Sequence, residues 1–188
     1  MGWRQVIVLY AVLAGLGGVY WWLGREPKPR APVTPVRARF LPVDARGFAA
    51  FRLARGGRVI YARRGAEDRW EVSEPADAAI PSDLLAAFAA ALGDAEEIQR
   101  VDGTGTDAEA FGLGETAAHV DIDLVDGRHV GLRIGDTNAN GTAVYARRDG
   151  EPAIVLVGRN VRYYEDLLFQ ALPGGRVPAG DGSLPVGG

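Results

Sequence analysis

The 188-residue sequence contains no cysteine, one methionine and two histidines, and these scarcities narrow the chemistry available to it. The absence of cysteine excludes disulfides, thiolate metal sites and cysteine nucleophiles. Lys28 is the single lysine, so nearly all basic residues are arginine. The net charge of −3 argues against general nucleic-acid binding, and we expect no nucleic-acid partner.

The charges are unevenly distributed along the chain. Residues 37–70 hold nine arginines and three acidic residues, whereas residues 71–188 hold eight arginines and twenty acidic residues. An ordinary solvated surface is one interpretation of this pattern. A basic face near an anionic membrane surface is the more specific interpretation, because clustered arginines are attracted to anionic lipid headgroups.

A run of 18 residues without a charge, residues 6–23, lies near the N-terminus. As a helix it would be about 27 Å long, close to the ~30 Å of a bilayer hydrocarbon core. Trp3 precedes the run and a Tyr-Trp-Trp sequence at 20–22 ends it, as expected for aromatic rings at a membrane interface. Apolar residues continue past any small-residue cleavage site, so we expect an uncleaved single-pass anchor over residues 1–24.

Small residues recur four positions apart within this run. Ala11 is followed by Gly15, and Ala14 by Gly18. On a helix this spacing forms a narrow face that lets another membrane helix approach closely. These four residues are the candidates for helix packing, and the ordinary small-residue content of a membrane span is the alternative.

The remaining sequence divides into a linker, a domain and a tail. Four prolines within residues 25–36 predict an extended linker over 25–39. Residues 173–188 are rich in glycine and proline, lack apolar periodicity and are predicted to be disordered. We therefore expect one soluble domain over residues 40–172.

Hydrophobic periodicity within the domain predicts an α+β fold, an antiparallel sheet with two main helices. A helix is expected over 84–92, capped by Ser82 or Asp83 and ended by Gly93, and a second over 160–170. The predicted strands are 48–54, 58–63, 69–72, 98–101, 118–125, 128–134, 142–147 and 153–157.

Two nearly identical segments suggest an internal repeat. IYARR at 60–64 and VYARR at 144–148 each lead into a turn and another strand. One short match can arise by chance, but the similar order of elements predicts duplication of a strand-strand-strand-helix unit.

The hydrophobic pattern predicts the register of the hairpin formed by the strands at 118–125 and 128–134. A three-residue loop ending in a left-handed Gly127 pairs Leu124 with Arg128 and Ile122 with Val130. All apolar residues then share one face. A two-residue turn would instead place a histidine and an arginine among them, so we predict the longer loop.

In this register His119, Asp121, Asp123 and His129 share the solvent-facing side. Imidazoles and carboxylates arranged in this way could bind a divalent metal. Alternation alone also places polar residues on an open sheet face. We therefore expect a solvated face, with no metal and no cofactor.

Other motif-like patterns lack the context that their chemistry needs. DxDxxDG at 121–127 resembles a calcium loop but has Val125 where a ligand oxygen is required. GxGxxA at 103–108 lacks the long helix of a dinucleotide site, and NGT at 140–142 indicates a turn before a glycosylation site. The adjacent carboxylates Glu96-Glu97 and Glu165-Asp166 do not point to one cleft, and we expect no enzymatic activity.

Several spaced motifs carry a resemblance to a known family. They are WEV at 70–72 followed by Pro75, FGL at 111–113, IGD at 134–136 and YAR at 145–147. In this order the sequence resembles the domain of unknown function 4340 family over residues 40–172. The resemblance implies an anchored extracytoplasmic domain of the kind often found beside gliding-type ABC transporter permeases and their auxiliary subunits. It brings no catalytic residues, and it implies that Trp70 fills the core and that Gly112 and Gly135 are turn glycines.

Two functions from different classes follow from these observations. The first is a non-enzymatic, single-pass accessory module of the inner membrane, with its domain outside, docking on a membrane complex such as a transporter permease. The second is an envelope ligand-binding domain for a polysaccharide, lipid or peptidoglycan. Its pocket would be lined by aromatic residues, for which the candidates are Trp70, Tyr61, Tyr145 and Tyr163.

The charges flanking the apolar run bear on orientation. Arg4 precedes the run, whereas Arg25, Lys28 and Arg30 follow it. The positive-inside rule applied to these residues leans weakly toward a cytoplasmic domain. The family resemblance points the other way, and we follow it in expecting an extracytoplasmic domain.

Overall fold

The computed structural model describes residues 2, 3, 14, 16, 18, 37–101 and 105–173. The chain divides into two compact units, Met1–Val36 and Arg37–Gly188. In the first unit Trp3, Ala14, Leu16 and Gly18 are helical. None of the helices formed by described residues is long and apolar enough to cross a membrane. The predicted span at 6–23, except for positions 14, 16 and 18, the linker at 25–36 and the tail at 174–188 lie outside the described residues.

A single eight-stranded antiparallel sheet organises the described part of the second unit. The strands are β1 (Phe48–Arg55), β2 (Arg58–Arg64), β3 (Trp70–Glu74), β4 (Gln99–Val101), β5 (Ala118–Leu124), β6 (His129–Thr137), β7 (Ala143–Arg148) and β8 (Ile154–Gly158), and the helices are α1 (Ser82–Gly93) and α2 (Asn160–Gln170). The strand order is β3-β2-β1-β5-β6-β7-β8-β4, which confirms the α+β class with an antiparallel sheet and two α-helices.

The β5–β6 hairpin has the predicted register. Ile122 pairs with Val130, and the backbone nitrogen of Leu124 donates to the carbonyl oxygen of Arg128 at 2.9 Å. Gly127 has a φ of +83°, the left-handed conformation that the three-residue loop requires. The buried positions of β5 alternate strictly with partly exposed ones, so register and burial agree.

Helix α1 begins at Ser82, two residues before the predicted start, and without the predicted cap. Its N-cap is Pro81, which makes no side-chain capping bond. The Ser82 hydroxyl instead accepts a hydrogen bond from the backbone nitrogen of Trp70 at 3.0 Å. The prediction that Ser82 or Asp83 caps the helix was therefore wrong, because Ser82 joins the helix to β3.

The two helices cover one face of the sheet and enclose the main core. Phe51 of β1 packs between Trp70 and Phe88, with ring centroids 5.1 and 5.3 Å away. Inward-facing residues of the strands and of both helices complete the same cluster. Trp70 is 4% exposed, which confirms its expected place in the core.

The IYARR and VYARR segments occupy strands β2 and β7. In the sheet, β1-β2-β3 and β5-β6-β7 extend in opposite directions from the central antiparallel pair β1–β5. A two-fold relation between these halves would equate β2 with β6 and not with β7. The short sequence match therefore does not mark equivalent strands.

Gly93 allows α1 to approach the short helical turn at Ala45–Gly47. A Cβ atom at position 93 would overlap the backbone nitrogen of Ala45. Backbone cannot move away as a flexible side chain can, so this approach requires glycine. Gly47, in the same turn, has room, because an added Cβ would lie 3.6 Å from Val43 Cβ.

We predict that Gly93→Ala lowers the free energy of unfolding by about 1–3 kcal/mol, despite a gain in helix propensity of at most about 1 kcal/mol. The control Gly47→Ala should change it by no more than about 0.5 kcal/mol. Urea unfolding followed by circular dichroism measures both. Equal midpoints for the two variants would show that the contact at Gly93 does not limit the packing.

Candidate functional site

The face of the sheet opposite the helices carries paired charges. Arg52 of β1 lies opposite Asp121 of β5, and His119 of β5 lies opposite Arg133 of β6. Strand alternation puts these side chains on the side away from the core, because the intervening residues of β5 are buried. We call the surface formed by the outward residues of β1, β5 and β6 the open face.

His119 is at the centre of a compact group on the open face. Its Nε2 atom is 2.9 Å from Asp149 Oδ2 and 3.6 Å from Asp121 Oδ1. Asp121 belongs to the same strand as His119, two positions further along. Asp149 comes from the turn after β7, so two separate parts of the chain build the group.

Gly131 creates the space that Asp149 occupies. A Cβ atom at position 131 would overlap Asp149 Oδ2. The backbone nitrogen of Asp149 also donates to the carbonyl oxygen of Gly131 at 2.9 Å. The glycine therefore fixes the aspartate backbone and leaves its carboxylate free to reach across β6 to His119.

His129 and Asp123 form a second, simpler pair on the same face. His129 Nδ1 lies 2.6 Å from Asp123 Oδ1, and the imidazole is largely exposed. The prediction that His119, Asp121, Asp123 and His129 share the solvent-facing side is confirmed. The structure nevertheless divides them into two groups, one around His119 and the other around His129.

The spaced motifs at 111–113, 134–136 and 145–147 converge in the fold. Gly112 has a φ of +68°, which confirms it as a turn glycine, and a Cβ atom there would overlap Asp136. The Phe111 ring packs on Tyr145 at 4.7 Å. A Cβ atom on Gly135 would overlap the Phe111 carbonyl oxygen, so the first motif packs directly on the other two.

Gly135 is not a turn glycine, contrary to prediction. It lies within β6, where the pairing with β7 shifts between Ile134 and Thr137, so that Gly135 and Asp136 together face Tyr145. This is a β-bulge, which disrupts the ladder locally. Glycine is required here for the close approach of Phe111.

Arg162 of α2 links the bulge to a buried carboxylate. Its Nη2 atom donates to the Gly135 carbonyl oxygen, and its Nη1 atom donates to Glu165 Oε1 at 2.8 Å. Arg55, at the end of β1, reaches the same Glu165 oxygen at 2.7 Å and also binds Asp166. Helix α2 is thus tied to β1 through Glu165 and to β6 through Arg162.

Glu165 is fully buried, and its Oε2 atom has no hydrogen-bond partner among the described residues. Burial raises the pKa of its carboxyl to about 7, against the opposing effect of the Arg162 and Arg55 charges. At the surface, by contrast, the backbone N–H and guanidinium of Arg128 lower the pKa of Asp126.

The aromatic residues proposed to line a ligand pocket do not converge. Trp70 belongs to the core, Tyr145 stacks on Phe111, and Tyr163 is 56% exposed beside Tyr164. None of the four aromatic candidates lines either of two surface clefts. The clefts, of about 310 and 170 Å³, are lined respectively by Arg58, Val59, Pro75, Asp77, Leu172 and Pro173, and by Arg37, Asp94, Ala95, Glu96, Ile98, Gly158 and Asn160.

The candidate helix-packing residues are described only in part. Ala14 and Gly18 are helical and exposed, and a Cβ atom on Gly18 would meet nothing within 4 Å among the described residues. Ala11 and Gly15 lie outside the described residues. The proposed packing face therefore stays a prediction.

Sequence reasoning did not recognise two carboxylates, Asp149 and Glu165, as members of these networks. Asp149 has no local signal, because strand pairing alone brings it to His119. Glu165 had a signal that could have been used: it lies four residues after Val161 and four before Phe169, both buried on α2. A carboxylate on that helical face must be buried and needs a partner.

A comparison of the chain with models of known protein families finds one match. The model of the family described as Domain of unknown function (DUF4340) matches residues 70–169, slightly more than half of the chain. The matched range contains all the motifs that carried the resemblance. Neither the curated proteins nor the solved structures contain a match.

We predict that Glu165 makes stability depend on pH. The folded carboxyl keeps its proton up to about pH 7, whereas the unfolded one loses it near pH 4.5, so the folded state binds more protons in that window. Stability should therefore fall as pH rises from about 4.5 to 7, by at most about 3 kcal/mol.

Urea unfolding at a series of pH values measures this slope. Glu165→Gln should remove most of it, because the titrating group is gone. Asp166→Asn, which alters the neighbouring carboxylate bound by Arg55, should retain it. Parallel pH profiles for the unaltered chain and Glu165→Gln would contradict the assignment.

Proposed function

The chain belongs to the DUF4340 family, and from this premise we propose that it is a non-enzymatic accessory module, anchored in the inner membrane by one helix, whose extracytoplasmic domain docks on a membrane complex such as an ABC transporter. The observation that carries the proposal is the uncharged run at 6–23 joined by a Pro-rich linker to a folded domain. The family resemblance adds the transporter context.

The chemistry of the domain supports a binding role more than a catalytic one. Glu165, the carboxyl with a pKa near neutrality, is enclosed by Arg55 and Arg162 and is not open to a substrate. The histidines lie on an open sheet face. Both are hydrogen-bonded to carboxylates, and neither lines the two surface clefts described above. A general acid or base needs a substrate held against it, and a flat face does not provide this.

The basic segment at 37–70 would lie nearest the membrane in this arrangement. Its contribution to headgroup binding is smaller than the sequence suggests, because Arg55, Arg58 and Arg64 are bound within the domain. Arg37 and Arg39, next to the linker, are exposed. Each exposed arginine close to anionic lipid would contribute about 1 kcal/mol.

The proposed duplication of a three-stranded unit fits the sheet order better than it fits the repeated segments. The halves β3-β2-β1 and β5-β6-β7 meet at the central pair β1–β5, and α1 and α2 lie in the same layer. Strand β8 has no counterpart in the first half, and β4 forms the edge beside it. The duplication therefore rests on the β-β-β meanders and their helices.

Helix packing within the membrane gives the first test. Gly15→Leu combined with Gly18→Leu should weaken recovery of a membrane partner in mild detergent, because bulky side chains prevent close helix approach. Gly17→Leu is the matched control, since in the proposed helix the helical period would put position 17 on another side. Equal recovery with both variants would remove this face from the proposed interface.

Topology gives the second test. We expect the N-terminus in the cytoplasm and residues 25–188 outside the inner membrane. Alkaline phosphatase fused to Gly188 should be active, and green fluorescent protein fused there should be dark after export through the general secretory route. The reverse pattern would place the domain in the cytoplasm, as Arg25, Lys28 and Arg30 alone would favour, and would overturn the proposed function.

A further inference from the structure

We propose that His119, Asp121 and Asp149 bind one divalent transition-metal ion of the zinc class on the open face. The donor atoms are one imidazole nitrogen and two carboxylate oxygens, and all three lie within 4.8 Å of one another. Imidazole with carboxylate suits zinc and similar ions, whereas magnesium and calcium prefer oxygen donors alone.

The distances fit ligands that share one ion. Two atoms each about 2.0–2.2 Å from a zinc ion, at angles between a right angle and the tetrahedral value, lie roughly 3–3.5 Å apart. His119 Nε2 is 2.9 Å from Asp149 Oδ2 and 3.6 Å from Asp121 Oδ1. Small movements of exposed side chains would bring all three atoms onto a common centre.

The arginines on the open face lie near the outer carboxylate oxygens, so the inner oxygens would be left for an ion. Arg52 Nη1 lies 3.7 Å from Asp121 Oδ2, and Arg133 Nε lies 3.9 Å from Asp149 Oδ1. The oxygens that face His119 are the other member of each carboxylate. Outer partners of this kind orient metal ligands, although here their positive charge also limits the affinity.

Gly131 is the second, independent part of the site. The space where its side chain would be is filled by the Asp149 carboxylate, which has to cross β6 to reach His119. An alanine at this position would overlap Asp149 Oδ2 and displace it. A residue outside the ligand set is thus required for the third ligand to be in place.

The three protein ligands would leave at least one coordination position open, because zinc takes four ligands or more. His119, Asp121 and Asp149 are each between one-third and one-half exposed, so water or a donor from another molecule could complete the ion. The neighbouring pair of His129 and Asp123 offers only two donors, and it therefore serves as an internal comparison.

The test is calorimetric titration of the full-length chain, purified in detergent and freed of metal with a chelator, with zinc chloride as the probe. We expect one saturable site per chain that excess magnesium does not displace. His119→Gln and Asp149→Asn should each weaken zinc binding about tenfold or more, as should Gly131→Ala. His129→Gln removes the other histidine and should leave the affinity unchanged.

Circular dichroism of each variant checks that the fold is retained, and Asp149→Asn replaces His119→Gln if the latter does not fold. Absence of a saturable site in the unaltered chain would overturn the proposal. Equal weakening by His119→Gln and His129→Gln would also overturn it, because it would indicate adventitious binding to any imidazole. The result is independent of membrane topology, so it does not stand or fall with the accessory role.

Discussion

The buried carboxylate of Glu165 is the constraint on which the arrangement of sheet and helices depends. Burying a carboxylate without partners is strongly unfavourable, so α2 packs where Glu165 meets Arg55 of β1, and Arg162 of the same helix is its second partner. Arg55 ends β1, and Arg162 also holds the carbonyl oxygen of Gly135 in the β6 bulge. Glu165 and Arg162 therefore set α2 against the centre of the sheet and against its bulged strand, respectively.

The bulge in β6 connects this network to the opposite side of the sheet. At Gly135 the lack of a side chain admits the segment from Phe111 to Leu113, which covers β6 and β7 on the face away from the helices. Spaced motifs that are individually uninformative thus become parts of one packed unit. The contacts that the structure shows among them are packing contacts: Gly112 against Asp136, Phe111 against Tyr145, and Gly135 against the Phe111 carbonyl oxygen.

The two faces of the sheet consequently differ in the residues that they carry. The helix-covered face holds the apolar core and provides stability, whereas the open face of β1, β5 and β6 carries charges in cross-strand pairs. Most of these charges are partly exposed, where ion pairs contribute little to stability. The Gly131 gap beneath Asp149 is the most specific feature of the open face.

Residue patterns along the chain were enough to predict the local structure. They indicated the α+β class, the positions of strands and helices, and the β5–β6 register, because alternation and a loop glycine specify which residues must share a face. Spaced motifs indicated the family. Folding, in contrast, was needed to show that Ser82 binds β3, that Gly135 forms a bulge, and that Asp149 meets His119. These contacts join residues far apart in the chain, and no local periodicity encodes them.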